Sequence, residues 1–222
     1  VPFSLKALPA VSRFVERKNE MQAMEEYFLS RNQDIVHSVT AQKTFLLHGL
    51  GGMGKTQLAV AFARKHHDKF SAVLWLDGSS VDQLKQSFVA VASKLPQDQF
   101  TADVKECCQA EKIDADIIVK GVLAWLSLPS NKHWLLIIDN VDREWTTREN
   151  DPLAYDAKEY FPHGDHGSIL VTSRLAGAAR LFEAELLVDR VDHAQARSML
   201  ESNACRELEG MLESNTDQMW SH

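Results

Sequence analysis

The sequence predicts an α/β fold of three layers, a mostly parallel five-stranded sheet with helices on both faces. Three observations predict it. Short aliphatic runs alternate with segments of helical periodicity, the pattern of strand–helix–strand units with parallel strands. One strand-to-helix junction, Gly49-Leu50-Gly51-Gly52-Met53-Gly54-Lys55-Thr56, reads glycine, four residues, then Gly-Lys-Thr, the pattern of a phosphate-binding loop. A later aliphatic run, residues 134–139, ends in Asp139, where a nucleotide site of this kind carries its second half.

Bulk properties narrow the class. A chain of 222 residues holds one such domain with a sizeable core and a small appendage. Its 45% hydrophobic and 25% charged residues are ordinary for a globular protein. A net charge of −7 argues against nucleic acid as a partner. Cys107, Cys108 and Cys205 form neither a disulfide framework nor a metal spacing, so reduced thiols in the cytoplasm are expected. No apolar run approaches the ~18 residues that span a bilayer, and no signal peptide is evident. The chain begins with Val1, so it is expected to be a piece of something longer.

The elements follow in order. Residues 1–42 form an N-terminal arm, with Arg13-Phe14-Val15-Glu16-Arg17-Lys18 leading into a helix patterned by Met21, Met24 and Phe28. By pattern alone, Phe14 and Val15 pack the arm. Residues 43–190 form the phosphate-binding core. Thr44–His48 is a buried strand before the loop, and Gln57–Arg64 a helix after it. Ser71–Asp77 is a second strand. A helix follows, opened by a Ser80/Gln83 capping box and carrying Val81, Leu84, Phe88, Val91 and Leu95 on one face; Pro96 stops it. Residues 96–113 are polar and unpatterned, a surface connection or irregular helix. A helix over about Asp116–Leu126 turns Ile118, Val122, Trp125 and Leu126 inward, and Pro129-Ser130-Asn131 is a turn. Trp134–Asp139 is the third strand. Residues 143–166 read as a long exposed segment. Ser168–Thr172 is a fourth strand and Leu186–Val188 a short fifth. Residues 191–222 are helical and acidic.

Each residue type in the loop has a chemical reason. The glycines let successive backbone N–H groups converge on one anion, and the following helix adds the positive end of its dipole. Gly49, Gly51, Gly52, Met53, Gly54, Lys55, Thr56 and Gln57 are the candidate phosphate-binding residues. Lys55 reaches the β- and γ-phosphates, and the Thr56 hydroxyl is placed for magnesium together with Asp139. The separation of Lys55 from Asp139 leaves room for a strand–helix unit built on Trp75 and for the Trp125 helix. Such spacing is expected where a strand is inserted between the loop strand and the aspartate strand. Arg174, just past the fourth strand, either reads a γ-phosphate through its planar fork or caps the next segment at the surface. GTP signatures are missing: Asp142, not glycine, stands three residues past Asp139, and Asn131-Lys132-His133-Trp134 fails the Asn-Lys-x-Asp pattern. Adenine is the expected base. His163 and His166 flank Asp165, but no third metal ligand is evident, so a loop is preferred there.

Taken together, these motifs resemble the nucleotide-binding module of NB-ARC class STAND ATPases, fungal NOD-like receptors especially. The resemblance covers about residues 13–200 and rests on Arg13–Arg17, Gly49–Thr56, Leu135–Asp142 and Gly167–Arg174. It implies an ATP/ADP switch: ADP holds a closed state, and ATP favours an open form that self-associates and signals with other domains of a longer receptor. It also implies that Phe14, Val15 and Arg17 contact adenine or ribose and that Arg174 reads the γ-phosphate. Three departures bear on activity. Glu16 replaces the glycine usual in the N-terminal motif. Asn140 follows Asp139 where a second carboxylate often acts as base; Asp142 serves instead if the strand continues through it. Gly-Leu-Pro-Leu and Met-His-Asp motifs are missing, so residues 191–222 are expected to be a truncated closing subdomain. Hydrolysis is then slow at most, with Lys55, Asp139, Asp142 and Arg174 as its candidate residues. The alternatives are a metabolic P-loop ATPase or small-molecule kinase, and a non-catalytic scaffold that nucleotide stabilises.

Overall fold

Alternation along four buried strands divides the core into two layers on opposite sides of one sheet. The computed structural model describes residues 17–29, 42–110, 113–143, 151 and 154–190. Helix α1 (Lys18–Leu29) precedes β1 (Lys43–His48), and α2 (Lys55–Lys65) follows the loop. Then come β2 (Ala72–Asp77), α3 (Val81–Ala92), α4 (Ala102–Gln109), α5 (Ala115–Leu126), β3 (Trp134–Asp139), β4 (Ser168–Ser173) and β5 (Ala184–Leu187). The sheet order is β2-β3-β4-β1-β5, and every pairing is parallel. β4 is therefore the strand inserted between the loop strand β1 and the aspartate strand β3.

Phe45, Leu47, Val73, Leu135, Ile137 and Leu170 point to one face, where they meet Met24 and Phe28 of α1 and Leu58 and Phe62 of α2. Leu46, Leu74, Leu76, Leu136, Ile138 and Val171 point to the other, under Phe88, Val104 and Trp125 of α3, α4 and α5. Helices thus cover both faces, as the continuous aliphatic runs require of strands buried on two sides. Ser80 caps α3 by accepting from the Gln83 N–H, and the Asp114 carboxylate caps α5.

Two segments bury more than their sequence reading expected. Residues 96–110 contain a short 3₁₀ turn and α4, and they bury Phe100, Val104 and Cys107. The apolar positions are too few to show a period, yet Val104 packs so closely on Gly121 that a Cβ there would lie 2.6 Å from its side chain. The described part of the supposedly exposed segment 143–166 buries Tyr155, Phe161 and His166. Tyr155 Oη donates to the Gly78 carbonyl at 2.6 Å, which ties this segment to the end of β2. His166 lies edge-on to Trp134, and both their side chains reach the Leu126 carbonyl, Trp134 by donating from its indole N–H. That explains His166 as a packing residue, and among the described residues no group of three or more His, Cys, Asp and Glu is placed to hold a metal ion.

Candidate phosphate-binding site

Parallel strands place all their carboxyl ends on one edge, and every described candidate residue collects there. β1 ends at His48, and Gly49 turns the chain out of the sheet with φ +140°. A side chain at Gly49 is excluded, since its Cβ would lie 2.3 Å from the Val188 carbonyl oxygen. Gly52 and Gly54 also take positive φ, at +78° and +88°, with open space where a Cβ would stand. Gly54 is the N-cap of α2 and offers no capping side chain. The first-turn N–H groups of α2 are thus left for an anion, with the helix dipole behind them.

Lys55 is buried, and its Nζ donates to the Gly49 and Leu50 carbonyls at 2.8 and 2.9 Å, inside the curve of the loop. Burial holds its ammonium below the usual lysine range; Asp142 and Asp139 pull it back up, and Arg174 pushes it down. Thr56 Oγ1 donates to Asp139 at 2.9 Å. Thr172 at the end of β4 also donates its hydroxyl to Asp139 Oδ1 and accepts the Asn140 N–H at 3.0 Å. Burial raises the Asp139 carboxyl above its ordinary range, and the neighbouring Asp77 and Asp142 add to that, while the two threonine hydrogen bonds oppose it. Asp77 sits opposite Asp139 in the β2–β3 register.

This oxygen donor set fits a hard cation. Thr56 and Asp139 supply one hydroxyl and one carboxylate, and a cation beside Asp139 would offset the like-charge crowding. So few protein ligands suit magnesium, which keeps waters and takes phosphate oxygens for the rest of its shell.

β3 does not continue past Asp139. Asn140 adopts φ +66°, a left-handed conformation that asparagine tolerates, and the chain turns. Strand alternation therefore does not govern where Asp142 points. Its carboxylate is bound by Arg174, through the backbone N–H to Oδ1 and through Nε to Oδ2, each at 2.8 Å. The Arg174 guanidinium carbon lies 3.6 Å from where a Cβ on Gly51 would stand, so it rests against the phosphate loop.

Arg17 is buried behind the loop. Its Nη2 donates to the Met53 carbonyl at 2.8 Å, and its Nη1 to the Asp189 carbonyl at 2.8 Å and to Glu20 at 3.0 Å. It joins α1, the phosphate loop and the chain after β5. Gln57 lies in the first turn of α2, part-buried. Phe14 and Val15 lie outside the described residues. Thr172, Asp77 and Asp189, whose carbonyl Arg17 bonds, were not singled out from the sequence. Thr172 had one signal, a hydroxyl residue at the end of the predicted fourth strand.

No protein-family model matches the chain. A curated relative, described as a nucleotide-binding leucine-rich repeat (NLR)-like protein from Hyaloscypha variabilis, is 25% identical over 184 residues, 78% of this chain. The chain spans 18% of that relative's length. Among solved structures, Cdc6p from Pyrobaculum aerophilum superimposes on 91% of the chain with a TM-score of 0.53 and 11% identity, over 52% of its own length. The chain has the fold of a P-loop NTPase module. The ADP form of the Aeropyrum pernix ORC2 protein covers 85% of it with a TM-score of 0.53 and 16% identity, and the module covers 52% of that chain. Aeropyrum pernix ORC1, solved in complex with DNA, covers 88% of it at the same TM-score and identity, again over 52% of its own chain. At such identities these three show the fold of the module alone, whereas the NLR-like relative bears out the resemblance to NOD-like receptors. Among the described residues no helix is long and apolar enough to cross a membrane.

Proposed function

We propose that this module is the ATP/ADP-binding core of a cytoplasmic signalling switch of the NB-ARC, STAND type. The observation that carries the reading is Arg174. It stands against the phosphate loop at Gly51, at the same sheet edge as Lys55, Thr56 and Asp139. Lys55 and the N–H groups of the loop hold the phosphates common to ADP and ATP. Arg174 would add a contact that only a γ-phosphate offers, which is what a switch between the two nucleotides needs. Thr56 and Asp139 would hold magnesium, which would supply charge neutralisation at the phosphates. Phe14 and Val15 are proposed for the adenine side. Arg17 acts there through the loop, because its guanidinium already bonds the Met53 and Asp189 carbonyls.

Hydrolysis is proposed to be slow. Asn140 cannot accept a proton usefully from water, and Asp142, the nearby carboxylate, is engaged by Arg174. The longer receptor would supply what closes and opens the site, beginning with residues 191–222.

The test is the nucleotide itself. Purified protein is expected to carry ADP, and to bind both ADP and a non-hydrolysable ATP analogue, the latter more tightly with magnesium than with chelator. Equal binding of a guanine nucleotide, or rapid phosphoryl transfer to a small acceptor, would overturn the reading.

A further inference from the structure

Asp142 and Arg174 are 32 residues apart in the chain and meet at the rim of the phosphate loop. Two different turns bring them there. Asp142 follows β3 by way of the left-handed Asn140, and Arg174 follows the last residue of β4. The carboxylate then grips Arg174 at two points, the backbone N–H and Nε–H, each at 2.8 Å. Both lie on the inner side of the residue. A guanidinium carries its other N–H groups on Nη1 and Nη2, and this outer fork is the part that matches two oxygens of a phosphate.

Fixing Nε fixes the plane of the whole group. The Cζ, Nε and Nη1 atoms lie 3.6, 3.7 and 3.8 Å from the position a Gly51 Cβ would occupy, so the plane stands against the loop. Yet 65% of the Arg174 side chain is exposed. A long exposed side chain without a partner spreads over many rotamers, and a ligand that needs one of them must offset that freedom. Asp142 removes the freedom before any ligand arrives.

We propose that Asp142 is a positioning residue for nucleotide discrimination: it holds the Arg174 guanidinium with its plane against the phosphate loop, so that ATP is told from ADP only while the pair is intact. This rests on Arg174 being the γ-phosphate reader. It assigns Asp142 to orientation and not to proton transfer.

Equilibrium binding of magnesium–ADP and of a magnesium complex of a non-hydrolysable ATP analogue to the full chain tests it. Asp142→Ala is expected to weaken the ATP analogue about tenfold, the scale of one immobilised long side chain, with ADP affinity changed less than about twofold. Asp142→Asn keeps the shape and one acceptor and should fall between. In Arg174→Ala the preference for the ATP analogue is lost, and adding Asp142→Ala should lose nothing more, because the two act as one unit. Three results would overturn the positioning role: unchanged discrimination in both Asp142 variants, tighter ATP-analogue binding in Asp142→Ala (a carboxylate that competes with phosphate), or a loss that adds in full to that of Arg174→Ala. If Arg174→Ala itself discriminates like the parent chain, the reader assignment fails first and Asp142 falls with it.

Discussion

Asp139 is 4% exposed, accepts hydroxyl hydrogen bonds from Thr56 and Thr172, and is held above the ordinary carboxylate range by burial. Asp142, one turn of chain later, keeps 24% of its side chain in solvent and is bound by Arg174. The same contrast divides the whole site. Gly49, Lys55, Thr56 and Asp139 form an inner half packed into the sheet. Leu50, Gly52, Asp142 and Arg174 form an outer half that faces solvent, with Leu50 67% exposed. The inner groups are fixed by the fold, so they suit the phosphates shared by every nucleotide. Asp142 and Arg174 in the outer half are fixed by each other, so they suit a contact that differs between nucleotides.

The largest effect expected from this division is at Lys55. Lys55→Ala removes a buried charge that the fold holds inside the curve of the loop, and each charged hydrogen bond lost is worth about 1.5–3 kcal/mol. Affinity for ADP and for an ATP analogue should both fall about 100-fold or more, measured by calorimetry. A loss confined to the ATP analogue would mean that Lys55 belongs functionally with Arg174 and that the division is misplaced.

Next in size is a pair of glycine variants within one loop. Gly49→Ala forces a Cβ to within 2.3 Å of the Val188 carbonyl oxygen, a backbone atom that cannot turn aside. Overpacking and backbone strain together predict a loss of about 3 kcal/mol. Gly52→Ala meets no atom within 4 Å and bears only its φ of +78°, about 1–2 kcal/mol. Urea unfolding of both variants separates them; equal losses would show that the loop is strained along its length and not walled at one end.

The inner half is also the half that could be read in the sequence. Its strands are continuous aliphatic runs, its glycines have a fixed spacing, and Lys55, Thr56 and Asp139 stand at strand and helix ends. Five parallel strands and helices on both faces follow from the same local signals, as does an inserted strand, though not that it would be β4. What stayed illegible is long-range and irregular. Arg17 finds its partners on backbone carbonyls, which any residue type supplies, at Met53 and Asp189. Tyr155 does the same at Gly78. Residues 96–110 and 154–166 bury isolated side chains with no period to betray them. Asn140 turns the chain where a continuing strand was the premise for Asp142 as base. The meeting of Asp142 with Arg174 follows from that turn, and strand periodicity could not foretell it.

The smallest effect expected is a gain, and it tests the inner half by its electrostatics. Asp139 has a pKa raised on folding, so between its unfolded and folded values the folded chain binds more protons than the unfolded one. Stability therefore falls as pH rises through that interval, starting near the ordinary aspartate value of about 3.9, and the loss persists above it. Asp139→Asn removes this penalty while its side-chain oxygen still accepts from Thr56 and Thr172. Without ligand at neutral pH the variant should melt slightly higher than the parent chain, read by thermal unfolding. At pH 4 the two should converge. Magnesium and an ATP analogue should reverse the order, because a cation favours the ionised carboxylate that only the parent chain has. A variant that melts lower than the parent chain at neutral pH without ligand would show that the charge of Asp139 is already compensated by its surroundings, and the inner half would then have no electrostatic need for a cation.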